Sequence, residues 1–148
     1  MLAKEVIILV AEDDEGHASL IVKNLRRAGI SNEIVRFKNG REVVDFLAKP
    51  VGAGSCGSDG NYILLLDISM PVMSGVEVLR WLKENVELAK IPVTMLTTTD
   101  DPREVEECYK LGCSNYIAKP VDYSKFVEVI RQLGLFLMVV EVPRIKVA

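Results

Sequence analysis

The chain has 148 residues, of which 49% are hydrophobic and 26% are charged, and its net charge is −3. These values are typical of one globular domain with a single apolar core. A general nucleic-acid binder normally presents a basic face, so the acidic balance predicts no nucleic-acid partner. The most apolar stretch, "LGLFLMVVEV" at residues 133–142, is too short to span a bilayer and predicts no membrane partner.

The three cysteines, Cys56, Cys108 and Cys113, are odd in number and lack the spacing of metal ligands. Such cysteine usage favours a protein that works in a reducing compartment. The N-terminus enters an apolar pattern directly, without the features of a signal peptide. We therefore predict a cytoplasmic location.

The first predicted element is a buried strand, "EVIILVA" at residues 5–11, because its apolar run is continuous. Four carboxylates follow it directly, at Glu12, Asp13, Asp14 and Glu15. Like charges this close raise each other's pKa unless a cation or hydrogen-bond donors compensate. We interpret Asp14 as the N-cap of a helix that runs from about Glu15 to Ala28 and ends at Gly29.

The rest of the chain alternates between short apolar runs and helical patterns. Further strands are predicted at residues 32–37, 62–67, 91–97 and 114–119. Further helices are predicted over residues 41–49, from the capping box of Ser74 and Glu77, from Asp101 to Gly112, and after Asp122. Five strands that alternate with five helices predict an α/β fold, a doubly wound parallel sheet with helices on both faces.

A glycine-rich segment at residues 51–61 contains Gly52, Gly54 and Gly57, which match the dinucleotide fingerprint G-x-G-x-x-G. That motif requires a strand before it and a helix after it. Here a helix precedes the glycines and a strand follows them. We therefore interpret the segment as a surface loop.

Polar side chains stand where four of the predicted strands end, at the sheet edge where α/β proteins bind ligands. The first strand ends at Glu12 and Asp13, the third at Asp67, the fourth at Thr97 and the fifth at Lys119. Taken singly, Thr97 also fits an ordinary strand residue and Lys119 a solvated side chain, whereas Asp67 has no evident capping role. Together they suit Mg²⁺, and an Asp carboxylate can form an acyl phosphate whose oxygens a cation and a hydroxyl stabilise.

Four blocks, "VAEDD", "LLLDISMPVMSG", "MLTTT" and "YIAKP", resemble the signature blocks of receiver domains of two-component response regulators. The resemblance covers essentially the whole chain and assigns residues 1–136 to a receiver domain. It implies a flavodoxin-like five-stranded sheet with strand order 2-1-3-4-5. It also implies that the phosphohistidine of a sensor histidine kinase phosphorylates Asp67.

The resemblance further implies a Mg²⁺ site. Asp13 and Asp67 would bind the ion directly, Glu12 would bind it through water, and the backbone carbonyl of Ser69 would supply another ligand. Glu12 stands where the family more often has Asp, which lengthens the arm that acts through water.

By the same resemblance, Thr97 and Lys119 would contact the phosphoryl group, and Thr97 together with Tyr116 would form the switch. The peptide bond between Lys119 and Pro120 is expected to be cis, which proline permits. The protein would not be an enzyme but a phosphoacceptor switch that assists its own phosphorylation and dephosphorylation.

The C-terminal extension, residues 137–148, resembles the tail of stand-alone response regulators that are paired with phytochromes. We expect no DNA-binding or enzymatic module after it and therefore expect the receiver itself to provide the output. The apolar character of "FLMVVEVP" predicts a symmetric homodimer contact formed with the fifth helix. The alternative is that the tail folds back onto the sheet.

Rival functions differ in how well they fit the sequence. A phosphatase of the haloacid dehalogenase type needs a second Asp two residues after the nucleophile, where this chain has Ser69. The sequence does not separate a shuttle to a histidine phosphotransferase or a chemotaxis-type regulator from a phytochrome-paired regulator. The joint presence of Asp13, Asp67, Thr97 and Lys119 speaks against a receiver-like module that never accepts phosphate. His17 fits a surface contact with the kinase better than a metal ligand.

Overall fold

The computed structural model describes residues 2–48 and 59–146. The strands are β1 Val6–Ala11, β2 Ile34–Phe37, β3 Gly60–Leu66, β4 Val93–Thr97, β5 Asn115–Ala118 and β6 Arg144–Ile145. The helices are α1 Glu15–Arg27, α2 Gly40–Leu47, α3 Gly75–Lys83, α4 Pro102–Leu111 and α5 Tyr123–Leu137, with a 3-10 helix at Leu88–Lys90. The fingerprint-like glycines Gly52, Gly54 and Gly57 lie outside the described residues, as does Cys56.

Strands β1 to β5 form a parallel sheet in the order β2-β1-β3-β4-β5, which confirms the predicted fold. Alternate residues of the central strands supply two cores. Leu9 and Leu64 pack on the side of α2 and α3, whereas Ile8 and Ile63 pack on the side of α1 and α5. The continuous apolar runs therefore arise because both faces of the sheet are covered.

The helices begin at side-chain caps that the sequence displays. The N-cap residues of α1 to α5 are Asp14, Asn39, Ser74, Asp101 and Asp122. Asp14 accepts a hydrogen bond from the His17 amide, and Ser74 accepts one from the Glu77 amide. The expected caps of α1 and α3 are thus confirmed. Helix α4 ends at Gly112, whose φ of +97° favours glycine.

The C-terminal extension returns to the sheet of its own chain. Strand β6 pairs antiparallel with the start of β3, where Gly60 lies opposite Ile145 and Asn61 opposite Arg144. The Ile145 side chain is fully buried among the residues on the α2 and α3 side of the sheet. The dimer contact expected for residues 137–148 stays a prediction.

The expected cis bond between Lys119 and Pro120 is wrong, because no peptide bond between the described residues is cis. The two isomers of a bond before proline differ by only about 0.5–1 kcal/mol, so the dipeptide alone does not decide between them. Within residues 2–48 and 59–146, no helix combines the length and the apolar character that crossing a membrane requires.

Candidate functional site

The carboxyl ends of β1 and β3 bring three carboxylates together. Oxygen atoms of Glu12, Asp13 and Asp67 all lie within 4.8 Å of one another. Glu12 and Asp67 are buried, whereas Asp13 is exposed. The two strands are neighbours in the sheet, and the amide of Asp67 donates to the carbonyl of Ala11 at 3.0 Å. The acidic cluster is therefore built on paired strands, with one side open to solvent.

Lys119, which follows β5, places its ammonium group among these carboxylates. Its Nζ lies 3.1 Å from Oδ2 of Asp67 and donates a further hydrogen bond to Oε1 of Glu12. All three side chains are buried. Burying two carboxylates beside each other is costly unless a cation pairs with them, and Lys119 provides that cation.

Glu12 carries the clearest electrostatic effect of the site. Burial raises the pKa of its carboxyl group from 4.5 to about 7, and the nearby charge of Asp67 adds to the rise. The hydrogen bond from Lys119 opposes the rise without cancelling it. Burial thus favours the protonated form of Glu12 more than it would be favoured at an exposed carboxyl group.

Thr97, the last residue of β4, is fully buried. Its hydroxyl oxygen has no hydrogen-bond partner among the residues that the structure describes. A buried hydroxyl that lacks a partner costs about 1–3 kcal/mol, so such groups usually serve a purpose. The hydroxyl is available to a ligand oxygen at the edge of the sheet.

Two glycines allow the loop that follows Asp67 to pack closely against the starts of two helices. A Cβ atom on Gly75 would lie 2.1 Å from the carbonyl oxygen of Asp67, and one on Gly40 would lie 2.3 Å from that of Met73. The amide of Gly75 also donates to the carbonyl of Ile68 at 2.9 Å. Within the loop, the amide of exposed Ser69 donates to Oδ1 of Asp67 at 3.3 Å.

Tyr116 of β5 is half-buried and connects to the loop between β4 and α4. Its hydroxyl donates to the carbonyl of Thr99 at 2.8 Å, and the hydroxyl of Thr99 donates to Glu104 at 2.7 Å. Burial raises the pKa of Tyr116 to about 12, so the phenol keeps its proton and remains a donor. The ring is thereby tied to the segment that begins two residues after Thr97.

A family model described as the response regulator receiver domain matches residues 8–131. This chain belongs to the receiver family. The match spans the sheet from β1 to β5 and includes the acidic cluster, Thr97 and Lys119.

Solved structures agree with this assignment. The crystal structure of a response regulator receiver domain from Rhodospirillum rubrum is 41% identical, covers 95% of this chain and 99% of its own, and has a TM-score of 0.84. The phosphorylated cyanobacterial phytochrome response regulator RcpA is 27% identical, with coverage of 95% and 99% and a TM-score of 0.82. The Mn²⁺-bound form of response regulator Rcp1 is 26% identical, with coverage of 93% and 98% and a TM-score of 0.82.

The acidic cluster of this receiver domain fits a divalent cation. Three carboxylates within reach of one another supply the oxygen ligands that hard cations prefer. Exposed Asp13 leaves the cluster open on one side, which suits an ion that retains several waters. The pKa of Glu12 is raised chiefly by burial and further by the charge of Asp67, and a bound cation would oppose both effects.

Sequence reasoning missed one residue that shapes the receiver site, Arg36 of β2. Its guanidinium donates to the carbonyl of Glu12 at 2.9 and 2.8 Å and to that of Asp13 at 3.3 Å. It also pairs with Glu15 at 2.9 Å. Arg36 therefore holds the backbone that presents two of the three carboxylates. The only sequence feature that could have indicated this role was a basic residue in the predicted edge strand beside β1.

His17, which we expected to be a surface residue that contacts the kinase, lies beside Lys119 and Glu12. Its Nδ1 is 3.2 Å from Nζ of Lys119 and 4.0 Å from Oε1 of Glu12. The sequence placed His17 near the acidic residues but gave no indication of the contact with Lys119. These two residues are 102 positions apart in the chain.

Proposed function

We propose that this receiver domain accepts a phosphoryl group on Asp67 from the phosphohistidine of a sensor histidine kinase. A carboxylate oxygen of Asp67 forms a bond to phosphorus as the bond between phosphorus and the imidazole nitrogen breaks. The observation that carries the proposal is the surroundings of Asp67, a buried carboxylate beside an ammonium group and two further carboxylates. This donor set suits phosphoryl transfer, which depends on charge neutralisation and positioning.

We assign the metal site to Mg²⁺. Asp13 and Asp67 would hold the ion directly, Glu12 would act through water, and the carbonyl of Ser69 would complete the protein ligands. Bound Mg²⁺ would offset the negative charge of the phosphoryl oxygens. The acidic cluster and the raised pKa of Glu12 support this assignment.

Thr97 and Lys119 are the proposed contacts of the phosphoryl group. The buried Thr97 hydroxyl has no partner among residues 2–48 and 59–146 and would donate to a phosphoryl oxygen. The Lys119 ammonium group, already on Asp67, would neutralise a second oxygen. With these groups the domain would assist its own phosphorylation and dephosphorylation as a switch, rather than act on a separate substrate as an enzyme.

In the proposed switch, a movement of Thr97 would change the position of Tyr116. If Thr97 moves toward a phosphoryl oxygen, the loop that begins after it moves too. That loop includes the Thr99 carbonyl, which holds the Tyr116 hydroxyl at 2.8 Å. Release of this bond would let the Tyr116 ring change position and alter the surface formed by α4, β5 and α5.

A phytochrome-type histidine kinase is the proposed upstream partner. The likeness to the phytochrome response regulator RcpA over 95% of this chain supports it. Transfer onward to a histidine phosphotransferase and a chemotaxis-type role are the alternatives within the family. A receiver-like module that never accepts phosphate is the alternative outside it. The cytoplasmic location stays a prediction.

A homodimer through α5 and residues 137–148 is part of the proposal. Leu135, Phe136 and Val139 are 47%, 48% and 75% exposed, although all three are large and apolar. Adjacent exposed apolar side chains are typical of an interface. The pairing of β6 with β3 leaves these residues uncovered.

The intact mass of the protein after incubation with acetyl phosphate tests the proposed function. We expect one phosphoryl adduct that requires both Mg²⁺ and Asp67, and none on the Asp67→Asn variant. An adduct that survives in Asp67→Asn would place the acceptor elsewhere. If neither acetyl phosphate nor a phosphorylated histidine kinase gave an adduct, the non-phosphorylated binding module would be the better description.

A further inference from the structure

The single histidine of the chain, His17, has no role in the function proposed above. It stands in the first turn of α1, three residues after the N-cap Asp14. Its side chain is 35% exposed, and its Nδ1 lies 3.2 Å from Nζ of Lys119. The His17 ring therefore contacts the Lys119 ammonium group, which is the group proposed to stabilise the phosphoryl oxygens.

The hydrogen bonds of Lys119 account for all its donors. An ammonium group has three N–H bonds and no acceptor. Three acceptors surround it, namely Oδ2 of Asp67, Oε1 of Glu12 and Nδ1 of His17. His17 thus accepts the one N–H bond that the carboxylates leave free.

This contact assigns the tautomer of the ring. A nitrogen that accepts from an ammonium group carries no hydrogen, so the proton of a neutral imidazole lies on Nε2. In an imidazolium, Nδ1 would carry a hydrogen and would face the Lys119 Nζ donor at 3.2 Å. In a neutral ring, the contact with Lys119 therefore assigns Nδ1 as the acceptor.

Two helices hold the ring in place. The amide of His17 donates to Oδ1 of Asp14 at 3.0 Å, which fixes the backbone of the first turn of α1. The ring meets that of Phe126 edge to face, with centroids 5.4 Å apart and planes at 80°. Phe126 is buried on α5, so both α1 and α5 determine where Nδ1 lies.

We propose that His17 is a positioning residue for Lys119 in phosphoryl transfer to Asp67. Its Nδ1 fixes one N–H bond of the ammonium group and so directs the other two toward Glu12 and Asp67, where the proposed phosphoryl group would form and accept the bond now made to Asp67. Donors that are already in position stabilise developing charge without reorganisation, and small displacements lower the rate strongly. The inference rests on the proposed phosphorylation of Asp67.

Two variants separate the acceptor from the bulk of the ring. His17→Leu keeps an apolar side chain against Phe126 but has no acceptor, whereas His17→Asn places a carboxamide oxygen at the δ position. We expect His17→Leu to lower the rate constant for phosphorylation by acetyl phosphate about 10-fold at saturating Mg²⁺, the effect of one hydrogen bond to a charged group. His17→Asn should come within about 3-fold of the wild-type rate. Equal rates for wild type and His17→Leu would overturn the inference.

The same rates distinguish the acceptor role of His17 from a purely structural role. If His17 mattered only for packing, the rate would follow the thermal midpoint of each variant, and His17→Asn would do worse than His17→Leu. Rescue by His17→Asn despite its weaker packing against Phe126 supports the acceptor role. Loss of the rate in both variants, in proportion to a lower thermal midpoint, would overturn it.

The ¹⁵N spectrum of the ring tests the contact without phosphorylation. With one histidine in the chain, its signals need no assignment by mutation. We expect a proton on Nε2, and an Nδ1 resonance that moves in the Lys119→Met variant. Wild-type protein with these signals but no adduct would support the positioning of Lys119 and contradict the proposed phosphorylation. A proton on Nδ1, or an Nδ1 resonance that Lys119→Met leaves in place, would overturn the inference.

Discussion

The ammonium nitrogen of Lys119 lies 3.1 Å from Oδ2 of Asp67, and both side chains are buried. The pair joins the end of β5 to the end of β3 across the intervening strand β4. In a buried pair, the loss of one partner leaves an unpaired charge in a poorly solvated place. The same contact therefore governs both the stability of the domain and the chemistry proposed for Asp67.

Substitution of Lys119 should destabilise the metal-free domain. We expect Lys119→Met to lower the free energy of unfolding by about 3 kcal/mol, because Glu12 and Asp67 lose their cation. Mg²⁺ should restore part of this loss. Urea unfolding in EDTA and in excess Mg²⁺ measures both effects. Lys90→Met is the control, since Lys90 pairs with Glu87 at the surface, and a comparable loss there would contradict the explanation.

The raised pKa of Glu12 predicts a pH dependence of stability. Its pKa is about 7 in the folded protein and near 4.5 in the unfolded chain. Between these values the folded state holds a proton that the unfolded state releases, so the free energy of unfolding decreases as pH rises. The contribution is on the order of 1–3 kcal/mol once solvent screening is allowed for.

Glu12→Gln isolates that contribution, because the amide does not titrate. In EDTA, the stability of Glu12→Gln relative to wild type should increase from pH 5 to pH 8. Urea unfolding at several pH values provides the measurement. Parallel pH profiles for the two proteins would contradict the raised pKa.

The loop after Asp67 should not tolerate a side chain at Gly75. A Cβ atom there meets the carbonyl oxygen of Asp67 at 2.1 Å, and that backbone cannot move without displacing the site. We expect Gly75→Ala to lower the free energy of unfolding by about 3 kcal/mol and to weaken Mg²⁺ binding. Chemical denaturation and Mg²⁺ titration measure these two effects.

Gly16→Ala is the matched control, because Gly16 also lies in the first turn of a helix. There the nearest atom to a new Cβ is the side-chain Oδ1 of Asp14 at 3.2 Å. We expect the stability of Gly16→Ala to remain within about 1 kcal/mol of wild type. If both alanine variants behaved alike, close approach would not explain the glycine at position 75.

A charge at Leu135 tests the dimer. If α5 and residues 137–148 form the contact, Leu135→Glu should give the mass of one chain by light scattering at concentrations where the wild type is a dimer. Val86→Glu is the control, since Val86 is 82% exposed in the loop after α3. A wild type that remains monomeric at all concentrations, with and without acetyl phosphate, would contradict the proposed contact.

Local signals in the sequence predicted much of the fold. The apolar runs identified four of the parallel strands, because helices cover both faces of the sheet, and an alternating pattern identified the edge strand β2. The caps at Asp14, Ser74 and Asp101 located three helix starts, because a side-chain oxygen satisfies amides within the next few residues. The strand ends likewise indicated which polar residues meet, since parallel strands share one carboxyl edge.

Contacts between distant parts of the chain could not be predicted in this way. The bonds from Arg36 to the carbonyls after β1 and the contact between His17 and Lys119 depend on side-chain positions in the folded protein. The pairing of β6 with β3 joins residues more than 80 positions apart, and no turn signal specifies it. The predicted cis isomer of the bond before Pro120 was wrong, because the cis and trans forms differ too little in energy for the dipeptide to decide between them.

Chemical identification of the acceptor is the most direct test of the central claim. Sodium borohydride reduces an aspartyl phosphate to the alcohol and so converts that residue to homoserine. After incubation with acetyl phosphate and Mg²⁺, reduction and peptide mapping by mass spectrometry should find homoserine at position 67 and retain Asp13. Omission of Mg²⁺ should abolish the conversion. Homoserine at position 13, or at neither position in protein that carries a phosphoryl adduct, would contradict the assignment of Asp67 as the phosphoacceptor.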